Sequence, residues 1–457
     1  MTVAGQPILS LQDALRQPLA AYEDVAEHTD TSLTTVLVKV MIDYKRGRTR
    51  QAHARYVACI RELGLDPNQA LLDQRVRLRD VHAQLFPLEM LFTITGIGLP
   101  PASTLEDYFD VLDLLGPDDR VLHGALYNIM LPLVLRRGDH AIARQLATLA
   151  IQEYEAGDAP YLIGYIHYHT AFIDIADGDY AAADASINEA ETFFRKVPQT
   201  FNEIAHCDVA KAWLDLEHRN HSPDTDWLEQ IKPMILSGEL WTESFLTLAA
   251  VLFRTYLRTR QDKILEVHAE LETAMRVRRM TALLPAMQLL RDEFFGLGDA
   301  VPPDRPATGL EPLHLLLLQP TIQSAALNEP LAADRSALPR LKVLQQIKTG
   351  HHAMQRRQFA QAAEHMWPAI QSIESHAFLG LLATERPKIE AFLAECRARR
   401  RFVEQARSVR TTLLPKVLHP TQSVDTPGDL TQTEFAVLLR LPGSTSNKAL
   451  ADIERLS

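Results

Sequence analysis

Few residues of this sequence stand at spacings that do chemistry, and each has a plain alternative. Glu217, His218 and His221 place a carboxylate and two imidazoles within about one helical turn, a ligand set that a divalent metal could use. A solvated helix end rich in His and Glu has the same composition and needs no metal. Gly96-Ile97-Gly98 hints at a dinucleotide loop, yet the third glycine is missing and Pro100-Pro101 takes the place of the required helix start, so a loop is expected. No GxxxxGK[ST] phosphate loop, GxSxG elbow or HExxH pair occurs anywhere. The three cysteines, Cys59, Cys207 and Cys396, form no CxxC pair and point to a reducing compartment rather than to a disulfide or zinc framework. The sequence therefore predicts no catalytic residues, no cofactor and no metal. Binding is the expected activity.

Two sets of side chains suit binding. Tyr127, Tyr161, Tyr165 and His169 could line a groove that holds an effector or a peptide, although most aromatic rings in a helical array are simply packed. Their neighbours His167 and Tyr168 point to other faces of the same helix. Arg397, Arg399, Arg400, Arg401, Arg407 and Arg410 could neutralise phosphates. Glu385, Glu390, Glu395 and Glu404 interleave with them, which instead suits a solvated helix face with charges paired one turn apart.

The elements that must hold these residues are announced by a near repeat. Gly138-Asp139-His140-Ala141 returns as Gly178-Asp179-Tyr180-Ala181, a period of 40 residues. At that offset Gly124 matches Gly164, Leu126 Ile166, Leu135 Ile175, Ala143 Ala183, Ala150 Ala190 and Tyr154 Phe194. A fixed period of a few tens of residues marks stacked helix pairs. Each unit reads as an apolar helix, a turn at Gly-Asp, and a second helix whose alanines let the pair approach closely. Glycine suits the turn because helices commonly end on a left-handed residue. One pair cannot bury its own apolar face, so the pattern predicts an all-α, TPR-like α-solenoid.

Composition agrees. At 457 residues the chain is too long for one compact core, but a repeat array has no such limit. Hydrophobic residues at 46% and charged residues at 23% are ordinary for a soluble folded protein. A net charge of −11 favours solubility and does not itself point to nucleic acid. The N-terminus lacks a basic stretch followed by an apolar one, and Leu315–Leu318 is too short to span a bilayer. The expected setting is the cytoplasm, away from membranes.

Along the chain, residues 1–295 read as helical repeats. A first pair falls within Thr31–Leu63, with Asp30 or Ser32 as its cap and a turn at Gly47-Arg48-Thr49. A second unit spans roughly Gln69 to Thr95, and Ser103-Thr104-Leu105-Glu106 has the spacing of a capping box. Asn202–Arg219 and Glu243–Arg260 read as further first helices, with partners near Trp227–Leu236 and Ile264–Arg279. Residues 296–340 are a Pro-rich irregular connection. Residues 341–416 resume the pattern: Arg357-Gln358-Phe359-Ala360 repeats the turn chemistry, and a last long helix is expected from about Lys388 to Leu414. Residues 417–429 form a Pro/Ser/Thr-rich linker.

The tail, residues 430–457, carries the most legible function. Thr431 can cap a short amphipathic helix that turns Phe435, Val437, Leu438 and Leu441 inward. Pro442-Gly443 stops it, and Thr445 or Ser446 opens a second helix that buries Leu450 and Ile453. Two short helices about a tight turn are the opening of a helix-turn-helix.

This tail resembles the DNA-binding domain of LuxR-type regulators, whose opening reads roughly L-T-x-x-E-x-x-V-L-x-L-L-x-x-G-x-S-N-K-x-I-A. Leu430, Thr431, Glu434, Val437, Leu438, Leu441, Ser446, Asn447, Lys448 and Ala451 fall on that pattern without a gap. Gly443 stands one place early, Pro442 intrudes, and Ala449 replaces the usual Glu. The sequence reaches Ser457, the serine that opens the recognition helix in that family. A helical array, a linker and this motif together look like the C-terminal part of the large MalT-like LuxR regulators. The resemblance implies a transcriptional regulator whose repeat region senses a small-molecule effector or a regulatory protein. It also implies an incomplete DNA-binding domain here, read as a shortened relative or a fragment without the nucleotide-binding module of those regulators. Ser446, Asn447 and Lys448 belong to the helix that crosses the DNA backbone, so they are expected to touch phosphate at most. DNA binding by this chain should be weak. The alternative is a TPR-like scaffold that mediates protein–protein interaction without DNA.

Overall fold

The computed structural model describes residues 10–27, 31–46, 48–71, 73–74, 84–94, 115–136, 140–219, 221–223, 226–231, 261–277, 339–376 and 378–417, with isolated positions at 109–113 and 247–256. Among these residues every regular element is a helix. The short α1, Leu11–Leu15, precedes the pair α2, Leu33–Lys45, and α3, Thr49–Glu62. Ser32 is the cap expected for α2, its Oγ accepting the Thr35 N–H at 3.4 Å. After α4, Leu85–Ile94, come two successive pairs: α5, Arg120–Arg136, with α6, His140–Ala156, then α7, Pro160–Asp177, with α8, Tyr180–Phe194. α9, Phe201–His218, and α10, Asp262–Val277, follow. A further pair, α11, Pro339–Gln355, and α12, Phe359–Ser375, leads into α13, Leu379–Ala398, and the short α14, Val403–Ser408.

Two columns of the 40-residue repeat turn out to be partners. A Cβ on Gly124 of α5 would sit 2.5 Å from Cε1 of Tyr154 on α6. One on Gly164 of α7 would sit 2.7 Å from Cε1 of Phe194 on α8. Each glycine is thus the floor on which the ring of the second helix lies, and both rings are fully buried. Ala143, Ala150, Ala183 and Ala190 are buried as well, which fixes how closely each pair packs.

Successive pairs are tied by polar contacts. Arg144 on α6 pairs with the buried Asp174 and with Asp177 on α7, and Lys211 on α9 reaches Glu191 on α8 at 2.6 Å. α6 packs on α7 and α8 on α9. The C-terminal helices then return to the centre: α11 packs against α7, and α13 against α9. One large apolar core consequently runs from Leu11 to Leu414, and a small second cluster gathers Ala14, Leu19, Tyr22, Val25, Val38 and Ile42 near the N-terminus.

The α7–α8 turn has the expected geometry. Gly178 is left-handed at φ +79°, and Asp179 caps α8 by accepting the Ala182 N–H at 3.0 Å. The counterpart turns at Gly47 and Gly138 lie outside the described residues, as do the Ser103–Glu106 stretch, residues 296–338 and the linker.

The last helix differs from expectation. It begins nine residues earlier than Lys388, at Leu379, because Pro387 is accommodated within α13. It also stops at Ala398 instead of continuing to Leu414. Arg400 and Phe402 are left-handed, at φ +51° and +54°, and the chain resumes as α14, a π turn at Val409–Leu413 and a 3₁₀ turn at Leu414–Val417. The Arg401 N–H closes the end of α13 by donating to the Cys396 carbonyl, a bond that terminates a helix rather than extending it.

Candidate functional site

Three of the four residues expected to line a groove form a row along α7. Tyr161, Tyr165 and His169 are spaced four apart, so they share one face. Tyr165 stands edge-on to both its neighbours, with ring centroids 5.8 Å from Tyr161 and 5.4 Å from His169. Phe194 joins this row from α8. Tyr161 is fully buried and donates its hydroxyl to Glu203 on α9 at 3.0 Å, while the Lys45 ammonium lies 5.1 Å over its ring. His169 is 6% exposed, with Nδ1 3.3 Å from Oδ1 of Asn128 on α5. Tyr127 lies next to Asn128 on α5 and is half-buried; burial and the nearby Glu153 raise its pKa. Two of the four residues are therefore core, and Tyr165 and Tyr127 are the partly accessible ones. Of their neighbours, Tyr168 is buried and His167 stacks on Phe193.

Ser446, Asn447 and Lys448 lie outside the described residues. In the arginine cluster, Arg399 pairs with Glu395 at 2.9 Å, as the interleaved glutamates suggest. Arg397, Arg400, Arg401 and Arg407 are exposed.

A second polar pocket lies near the N-terminus, lined by His53, Tyr56, Glu89 and Phe92 around a void of about 20 Å³, room for about one water molecule. Burial pushes the Glu89 carboxyl up to about 7, against the pull of the Leu71 N–H, which donates to Oε1 at 2.8 Å. Burial also lowers the pKa of His53. The thiols are inert: all three are buried, and burial pushes Cys59 and Cys396 up to about 11.

One wide opening among the described residues is a place that the sequence reading missed. Where the α7–α8 turn, the end of α9 and the end of α12 converge, Asp179, Tyr180, Asp184, Asp215, His218, Arg219 and His376 surround a cavity of about 550 Å³. The Tyr180 and His218 rings stand 4.6 Å apart, and the fully shielded Nδ1 of His218 has no hydrogen-bond partner among the described residues. Asp215 pairs with Arg219 at 3.0 Å, and Asp184 accepts from Asn188 at 3.2 Å. His376 Nδ1 donates to the Ser372 carbonyl at 2.9 Å. The Glu217–His218–His221 set does not assemble as a metal centre: no group of three potential ligands occurs among the described residues. The Gly178-Asp179 turn signal marked one wall of the cavity. The other walls come from distant positions that no local spacing connects.

No family model, curated protein or solved structure matches the chain.

Proposed function

We propose that the chain is a transcriptional regulator of the LuxR/MalT-like type, in which stacked helix pairs form an α-solenoid that senses an effector or a regulatory protein. The observation that carries this reading is the gap-free run from Leu430 to Ala451, with Ser446-Asn447-Lys448 at its most specific point. The folded part supports it in kind. Two successive central helix pairs, each with a glycine beneath a ring, fit an architecture that presents extended binding surfaces. The junction cavity gives such a region a place to take up a ligand. Three buried free thiols agree with a cytoplasmic setting. No helix among the described residues is long and apolar enough to cross a membrane.

The motif's opening helices deliver phosphate contacts, which orient a protein on DNA without specifying sequence. The 457-residue polypeptide should therefore bind DNA weakly and without sequence preference, losing affinity steeply between about 50 and 200 mM salt. Footprinting on random genomic fragments across that range is the test. A protected sequence that persists at the higher salt overturns the weak-binding part. Absence of binding at the lower salt favours the alternative, a TPR-like scaffold for protein partners. That alternative draws on the exposed Phe402 and Val403 beside the arginine cluster, 41% and 43% accessible.

A further inference from the structure

We infer that the junction cavity binds a small organic cation, an alkylammonium or guanidinium compound of roughly polyamine size. Its volume of about 550 Å³ falls in the range of small-molecule sites, about 300–1,000 Å³, and exceeds what a bare ion needs. Three carboxylates face it, from Asp179, Asp184 and Asp215, against the single guanidinium of Arg219, which Asp215 already engages.

Backbone adds to the same sign. α7, α9 and α12 all end at the cavity, each C-terminus carrying roughly half a negative charge, and they outnumber the single helix start there, that of α8, whose positive end Asp179 already caps. At Gly178 and Asp179 the amides satisfy only the Ile175 and Asp174 carbonyls. The Tyr180 and His218 rings, 4.6 Å apart, supply a wall on which a cation can rest. The carboxylates are spread over two elements instead of converging on one point. That arrangement suits a ligand with charge at both ends better than a compact metal ion.

The position gives binding a consequence. One wall belongs to the central pairs and another to α12, so an occupant would brace the C-terminal helices against α7 and α9. As an effector site this cavity rests on the sensing role proposed above; as a cation site it does not.

The test is calorimetric titration of the full chain with spermidine, without DNA, alongside magnesium chloride and sodium succinate at matched ionic strength. Saturable 1:1 binding of spermidine alone is expected, with a raised melting temperature. Asp184 is exposed, so Asp184→Asn combined with Asp215→Asn should leave folding intact by far-UV circular dichroism and weaken binding at least about tenfold. Asp184→Lys, which places an ammonium in the cavity, should abolish it. Glu404→Gln, at an exposed acid away from the cavity, should bind like the parent. Heats shared by spermidine and magnesium, or Asp184 and Asp215 variants that bind within twofold of the parent, overturn the inference. Because DNA is absent, such a failure leaves the reading of the tail untouched, and failure in footprinting leaves the cation site untouched.

Discussion

The turns at Gly178 and Arg357 share a backbone and differ in residue. At the first, the Gly178 N–H donates to Ile175 and the Asp179 N–H to Asp174, at 3.1 and 2.9 Å. At the second, Arg357 donates to Met354 and Gln358 to Ala353, both at 2.8 Å. Both central residues are left-handed, at φ +79° and +62°. For a residue with a Cβ that conformation costs about 1–2 kcal/mol, and Arg357 bears it. What separates the two turns is what lies outside them. Arg357 is exposed, whereas a Cβ on Gly178 would sit 2.7 Å from Cε1 of Phe378 and 3.3 Å from Cβ of His376. Glycine is needed at 178 for room as much as for φ. The protein tolerates local strain; what it lacks is room for a Cβ on the side of Gly178 that Phe378 covers.

The largest effect should come from Gly178→Val, which combines the left-handed strain with overlap on Phe378. It should destabilise by about 3 kcal/mol in urea unfolding, and a variant as stable as the parent would erase the distinction between the turns. Gly178→Asn separates the two causes, because asparagine tolerates the left-handed region. A loss of about 2 kcal/mol is expected, shrinking to within about 0.5 kcal/mol in a Phe378→Ala background. A harmless Gly178→Asn would mean that φ alone selects the glycine.

Within the central pairs, Gly164→Ala and Gly124→Ala should each destabilise by about 1 kcal/mol. Overpacking beneath Phe194 or Tyr154 outweighs a helix-propensity gain of about 1 kcal/mol. Phe194→Leu should relieve the first and leave the second unchanged. The smallest effect has the opposite sign: Arg357→Gly should stabilise by up to about 1 kcal/mol by removing strain. No gain there would show that the arginine side chain offsets its own backbone.

The sequence made some of this legible for physical reasons. The 40-residue offset aligned Gly124 with Gly164 and Tyr154 with Phe194 because both columns answer to one contact. That the columns touch each other was not readable, since the turn between helices decides which faces meet. Gly178 was identifiable as a helix end because its requirement is local. Phe378 was not identifiable as its neighbour, because nothing periodic links positions so far apart. The cavity shares that limitation, with His376 and Asp184 brought together only by the return of the C-terminal helices. The end of α13 escaped notice for another reason: Arg400 does there what glycine usually does, and its residue type gives no signal. Of the expected groove residues, Tyr161 and His169 show why aromatic content alone is ambiguous, as both are taken up by the core.

The contact between Gly178 and Phe378 also sets an order of events. A ribosome adding about 5–20 residues per second completes the α7–α8 turn roughly 10–40 s before residue 378 is made. During that interval the face later covered by Phe378 is open to water and to other nascent chains. An ordinary repeat array can fold from one end as it is synthesised, each unit covered by the next. Here the middle must wait for a helix 200 positions downstream, so the centre of the molecule is among the last parts to be sealed.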